Sequence, residues 1–173
     1  LDNKANRDVH PFILKAISDI FVSMDRFDGA IPDLENELKD LLTKIYDVSC
    51  QLDITNKDDV EYGNLFYQYL SDAFYGYAKI YYCTDNQQKE REQLFLLDRL
   101  ANYIYKLSPR IDENAYLSFA KAAQQFASKC SRRNNVILNR HSIHRILKLG
   151  YENSMTQDSK KKIKEVLEYL KSK

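Results

Sequence analysis

Apolar residues recur at intervals of three and four along most of this chain, a spacing that places them on one side of a helix. No segment competes with this pattern by alternating apolar and polar residues as a half-buried strand does. Glycine and proline, which interrupt helices, are scarce, with four and three residues among 173. The sequence therefore predicts an all-α fold.

Turn and capping residues divide the pattern into seven predicted helices, at about 9–27, 32–52, 57–82, 87–107, 112–130, 135–149 and 158–170. In the first helix the apolar stripe consists of Val9, Ile13, Ala16, Ile17, Ile20, Met24 and Phe27. Ser108-Pro109 is expected to end the fourth helix and Gly150 to end the sixth as a C-cap. Short connections favour antiparallel neighbours, so we expect an up-and-down bundle of six to seven helices.

Composition limits the classes to which the protein can belong. We expect residues 1–173 to form a single helical domain, which we interpret as a fragment of a longer protein because no initiator Met is present. No signal peptide or membrane-spanning run is visible. Cys50, Cys83 and Cys130 are odd in number and never form a CxxC pair, so we expect reduced thiols and a cytoplasmic location.

Charge is distributed unevenly along the chain. Residues 129–173 contain twelve Lys and Arg against four Asp and Glu, whereas residues 1–128 contain fourteen against twenty-one. Such asymmetry is typical of a basic end that binds an anionic partner. It is equally compatible with a basic end that docks on the acidic part of the same chain.

The predicted third helix is rich in aromatic residues. Nine tyrosines and phenylalanines within residues 62–82 surround the helix rather than following one stripe. A helix that is apolar on all sides lies in a core or in a subunit interface. We expect core packing, with a protein partner or a homodimer interface through this Tyr-rich helix and a surface that stacks RNA bases as the alternatives.

The candidate functional site is the segment Asn139-Arg140-His141-Ser142-Ile143-His144-Arg145. Helical spacing places its arginines and histidines, together with Lys148, in one cationic stripe opposite the apolar residues. Arginine holds phosphate in bidentate fashion, and histidine transfers protons near neutral pH. We therefore predict Arg140, His141 and His144 as catalytic residues and Arg133, Arg145 and Lys148 as RNA-binding residues. The alternative is a solvated basic face that happens to contain two histidines.

The same segment resembles the end of a HEPN-type domain. The run Asn139-Arg140-His141 is followed by Tyr151, a Ser-Lys-rich stretch and the terminal pattern Val166-Leu167-Glu168-Tyr169-Leu170. The resemblance implies a helical HEPN-like core at 57–173. It further implies an RNA-directed function, commonly that of a dimeric, metal-independent endoribonuclease of toxin or defence systems, with no cofactor.

The spacing of the motif departs from the family pattern. Three residues separate Arg140 from His144, whereas the family has four to six between its Arg and His. The resemblance is therefore compatible with an active enzyme and with a non-catalytic copy. A non-enzymatic protein–protein interaction module and a bacterial or viral effector of unrelated helical fold are the remaining hypotheses.

Overall fold

The computed structural model describes residues 9–24, 40, 53, 55–80, 87–108, 110–129 and 141–172. This part of the chain forms six helices and no strand, which confirms the all-α helical bundle. The helices are α1 (His10–Met24), α2 (Lys57–Ile80), α3 (Gln87–Leu107), α4 (Glu113–Lys129), α5 (His141–Asn153) and α6 (Gln157–Lys171). None of these helices is both long enough and apolar enough to cross a membrane. Apart from Asp40, the predicted helix at 32–52 falls outside the described residues, as do the three cysteines.

Helix α2 lies between α1 and α4 at the centre of the bundle. The run Thr55-Asn56-Lys57-Asp58-Asp59 predicts a helix cap here, and the Asn56 side chain accepts a hydrogen bond from the backbone N–H of Asp58 at 2.9 Å. Carboxylates in this turn, at Asp58 and Asp59, favour the positive end of the helix dipole. Because α2 has a neighbour on each side, four of its aromatic residues pack inside the chain. Those that are buried are Tyr62, Phe66, Tyr67 and Phe74.

Side-chain hydrogen bonds fix the relative direction of the helices. Asn64 on α2 accepts a hydrogen bond from the backbone N–H of Asp112, just before α4, at 2.8 Å. It also donates to the carbonyl of Arg110 at 3.1 Å. The starts of α2 and α4 therefore lie side by side, and these two helices run parallel. Helix α3, which lies between them in sequence, runs in the opposite direction.

Helix α1 is also parallel to α2, because His10 near its start contacts Tyr62 near the start of α2. The distance from His10 Nδ1 to the Tyr62 hydroxyl is 2.9 Å. The position of His10 beside Pro11 at a helix start predicts a capping or surface histidine. That prediction is wrong, because His10 is only 2% exposed. It lies inside because it shares the buried face of α1 with Leu14 and Ile17, at intervals of four and three residues.

The apolar stripe predicted for α1 is partly wrong. Val9 and Ile20 are 50% and 43% exposed, whereas Leu14 and Ile17 are buried against the core. Apolar residues occur around much of this helix, and packing on α2 buries only the side that faces α2.

Candidate nucleic-acid interface

Helix α5 carries the predicted cationic stripe on the side opposite its buried face. Ile143, Ile146 and Leu147 are each at most 2% exposed, which confirms that the helix docks by its apolar side. His141 and Lys148 are exposed, and His144 and Arg145 are half-buried at the edges of the outward side.

The end predicted for this helix is wrong, because α5 continues through Gly150 to Asn153. Gly150 is buried against Tyr116 of α4. A Cβ atom at position 150 would lie 3.0 Å from the Tyr116 Cβ. The glycine therefore allows close approach of two helices instead of ending one, and it sets how deeply α5 sits on α4.

Polar contacts attach α5 to α3. The Ser142 hydroxyl donates a hydrogen bond to the Asp98 carboxylate. One turn later, Arg145 Nη2 donates to the Asn102 side-chain oxygen at 3.4 Å. Residue numbers increase in the same direction on both helices along this contact, so α3 and α5 are parallel. Their outward sides therefore form one surface.

Arg145 is held in place by its neighbours on α3. Its guanidinium carbon lies 3.5 Å from the centroid of the Tyr105 ring, a stacked cation–π arrangement. No carboxylate forms an ion pair with Arg145 among the residues that the structure describes. Its Nε is buried without a hydrogen-bond partner in the same part of the chain, so the terminal nitrogens are the groups that remain for a ligand. The result is an oriented cation whose charge no carboxylate of the described residues neutralises by an ion pair.

Lys148 is only loosely paired. Its Nζ lies 3.8 Å from the Glu152 carboxylate one turn further along α5, and both side chains are exposed. An exposed pair of this kind contributes little to stability. Lys148 can therefore turn towards an anionic ligand at small cost.

The two histidines of the stripe lie on the same helix as Arg145. Neither imidazole has a hydrogen-bond partner within the described ranges, and His141 is the more exposed of the two. The structure thus places His141, His144, Arg145 and Lys148 on the outward side of α5. Arg133 and Arg140 lie outside the described residues, so their predicted roles stay predictions.

Sequence reasoning missed the residues of α3 that complete this surface. Asp98, Asn102 and Tyr105 follow one another at intervals of four and three, and they line the edge of α3 that faces α5. The interval was visible in the sequence as a polar stripe beside the apolar face. What the sequence could not supply was the pairing of this stripe with α5.

Comparison of the chain with models of protein families, with curated proteins and with solved structures found no match. The resemblance to HEPN-type domains thus rests on the sequence pattern alone.

Proposed function

We propose that this chain is an RNA-directed, HEPN-like domain that holds the phosphate backbone of RNA on the surface formed by α3 and α5. The observation that carries the proposal is the Arg145 guanidinium, which is stacked on Tyr105 and lacks a carboxylate partner among the described residues. Charge-assisted hydrogen bonds from arginine to phosphate are among the strong polar contacts that proteins make. An oriented guanidinium loses little conformational freedom when it binds.

The ion pairs of the basic end support an external anionic partner. Within residues 141–172 the described pairs are Lys148–Glu152, Lys162–Asp158 and Lys164–Glu168, all one turn apart on their own helix. No Lys or Arg of 141–172 forms an ion pair with an Asp or Glu of the described residues up to 129. The positive charge of this end is therefore not neutralised by the acidic part that the structure describes.

His141 and His144 supply the chemistry if the domain cleaves RNA. Metal-independent cleavage requires a base that removes the 2′-hydroxyl proton, an acid that protonates the leaving 5′-oxygen, and a cation at the phosphate. The two imidazoles are candidates for the proton transfers and Arg145 for the phosphate contact. A non-catalytic domain would retain the phosphate contact alone.

Binding of a labelled single-stranded RNA to the full chain, measured by fluorescence anisotropy at several salt concentrations, tests the proposal. We expect Arg145→Gln to weaken binding about tenfold or more, because one charge-assisted hydrogen bond to phosphate is lost. The plot of log affinity against log salt concentration should also become less steep, with the magnitude of its negative slope smaller by about 1. Lys15→Gln on α1 removes one positive charge from an exposed side chain outside the surface formed by α3 and α5 and serves as the control.

Incubation of the RNA with the chain in the presence of a chelator tests catalysis separately. We expect a His141→Ala/His144→Ala double variant to abolish any cleavage while binding persists. Cleavage that is unchanged in this variant would exclude both histidines. Absence of RNA binding at low salt, where phosphate contacts are strongest, would reject the RNA proposal and leave the protein–protein interaction module as the better hypothesis.

A further inference from the structure

A second candidate site lies on a different part of the bundle, in a cleft where α1, α2 and α4 meet. The cleft has a volume of about 250 Å³. Four charged side chains and three side chains with hydroxyls line it: Lys15, Ser18, Asp19, Tyr69, Asp72, Tyr75 and Lys121. None of these residues belongs to the surface formed by α3 and α5, so the cleft is independent of the proposed RNA site.

Asp72 on α2 is the half-buried carboxylate of this cleft. Burial raises the pKa of this carboxyl above its ordinary value, although a hydrogen bond from the Ser118 hydroxyl and the charges of Lys121 and Lys15 act in the opposite direction. No ion pair within 4 Å involves Asp72 in the described part of the chain. The carboxylate is thus poorly solvated and only partly compensated, which favours a positively charged group beside it.

The two lysines of the cleft differ in whether they form an ion pair. Lys15 is already paired, with its Nζ 2.9 Å from the Asp19 carboxylate. Lys121 is exposed and forms no ion pair with any residue in the described ranges. Within the described part of the chain, the cleft therefore contains one carboxylate and one ammonium group, Asp72 and Lys121, that form no ion pair within 4 Å with each other or with another residue.

Two tyrosines accompany Asp72 along α2. Tyr69 and Tyr75 precede and follow it by three residues, so both lie one helical turn away on the same face. Both are half-buried and line the cleft. The face of a tyrosine ring attracts cations, and its hydroxyl forms hydrogen bonds. The Tyr75 ring already has the Lys79 ammonium group 5.2 Å from its centroid, so Tyr69 is the ring that remains for an ammonium group beside Asp72.

We propose that this cleft binds a small zwitterion of the free α-amino acid class. The ammonium group of the ligand pairs with Asp72 beside Tyr69, and its carboxylate pairs with Lys121. The volume is below the range of about 300–1,000 Å³ that is usual for drug-sized ligands, so the occupant is small. A simple amine or a simple carboxylic acid would leave one of the two charges without a partner.

Titration of the full chain with each common amino acid, monitored by isothermal titration calorimetry or NMR, tests the proposal. We expect at least one amino acid to bind saturably at millimolar concentration or below. For phenylalanine as the probe, the matched amine is phenethylamine and the matched acid is phenylpropionate. Whichever amino acid binds, its matched amine and acid should each bind at least about tenfold more weakly, since each lacks one charge-assisted contact.

Asp72→Asn and Lys121→Gln should each weaken binding by a similar factor, with Lys164→Gln on α6 as the control that leaves it unchanged. If Asp72→Asn fails to fold, the exposed Lys121→Gln decides the outcome. The proposal is overturned if no amino acid binds saturably, if the amine binds as tightly as the amino acid, or if binding persists in the Lys121→Gln variant.

Discussion

Gly150 is the residue at which α4 and α5 approach most tightly among the contacts described above. A Cβ atom there would lie 3.0 Å from the Tyr116 Cβ and 3.1 Å from its Cγ and Cδ1. Tyr116 is 1% exposed and its Cβ is fixed to the backbone of α4, so it has little room to yield.

We expect Gly150→Ala to destabilise the protein by about 1 kcal/mol. Alanine gains about 1 kcal/mol of helix propensity over glycine, but overpacking a close contact costs about 1–3 kcal/mol. Urea unfolding measures the difference, and Asn153→Ala at an exposed position of α5 should change stability by only about 0.5 kcal/mol or less. A stabilised Gly150→Ala variant would mean that the two helices can move apart at small cost.

The raised pKa of Asp72 has a consequence for stability as a function of pH. Because burial raises this pKa above the ordinary value of 3.8, the folded state binds the proton more tightly than the unfolded state. The contribution of Asp72 to the free energy of unfolding is therefore fully present below pH 3.8 and is lost as pH rises through the raised pKa. We expect Asp72→Asn to be more stable than the parent protein at neutral pH and to lose this advantage on acidification, as measured by urea unfolding across a pH series.

Asp53 provides a control of opposite sign. Hydrogen bonds from the backbone N–H and the hydroxyl of Thr55 lower the pKa of its carboxyl. Its contribution is therefore present above the ordinary carboxyl pKa and is lost as pH falls through the lowered value. Asp53→Asn should thus be less stable than the parent at neutral pH. If the stability differences of the two variants from the parent protein changed with pH in the same direction, burial would not be the dominant cause of the pKa shift at Asp72.

Residue type and spacing predicted the buried face of α5 but not the partners of its outward side. Ile143, Ile146 and Leu147 are inside because an amphipathic helix must cover its apolar side. That Arg145 stacks on Tyr105 depends on the register of two helices about 40 residues apart in sequence, and periodicity within one helix carries no information about that register.

At the scale of the element, α6 begins at a well-defined cap. The Thr156 hydroxyl accepts a hydrogen bond from the backbone N–H of Ser159 at 3.2 Å. The Glu113 carboxylate on α4 accepts hydrogen bonds from the backbone N–H groups of Met155 and Thr156 at 3.0 and 3.2 Å. Local capping and a contact to another helix thus fix the same turn.

We expect Thr156→Ala to lower the free energy of unfolding by about 1 kcal/mol, because a donor of the first turn of α6 loses its acceptor. Thr156→Ser retains the hydroxyl and should stay close to the parent protein in urea unfolding. A double-mutant cycle with Glu113→Gln should be non-additive, since both residues act on one turn. Equal effects of alanine and serine at position 156 would show that the hydroxyl does not contribute.

Helix boundaries were predictable where a local signal exists. Asn56 before α2 and the Ser108-Pro109 pair after α3 were read correctly, since caps and breakers act over a few residues. Gly150 was misread because glycine serves both as a helix end and as a site of close packing. Whether Gly150 ends the helix or allows close packing depends on Tyr116, which is distant in sequence.

At the scale of the molecule, the sequence predicted a helical bundle but not which helices are neighbours. Short connections correctly indicated that α3, α4, α5 and α6 alternate in direction. The parallel neighbours α1 and α2 are joined by a long segment, and their contact could not be derived from connection length. The cleft that contains Asp72 depends on this arrangement, because its lining comes from α1, α2 and α4.

The parallel arrangement of α1, α2 and α4 also determines when the core can form during synthesis. His10 meets Tyr62 across 52 positions, and Asn64 meets Asp112 across 48. Among the described residues, α2 supplies the main contacts of the buried side of α1, so these contacts cannot form until α2 has left the ribosome. The contacts between α2 and α4 form later still. A nascent chain of this protein exposes the aromatic residues of α2 for the time that translation needs to pass from one helix to the next, at about 5–20 residues per second. Protection of that helix in the cell thus depends on the speed of elongation through α3 and α4.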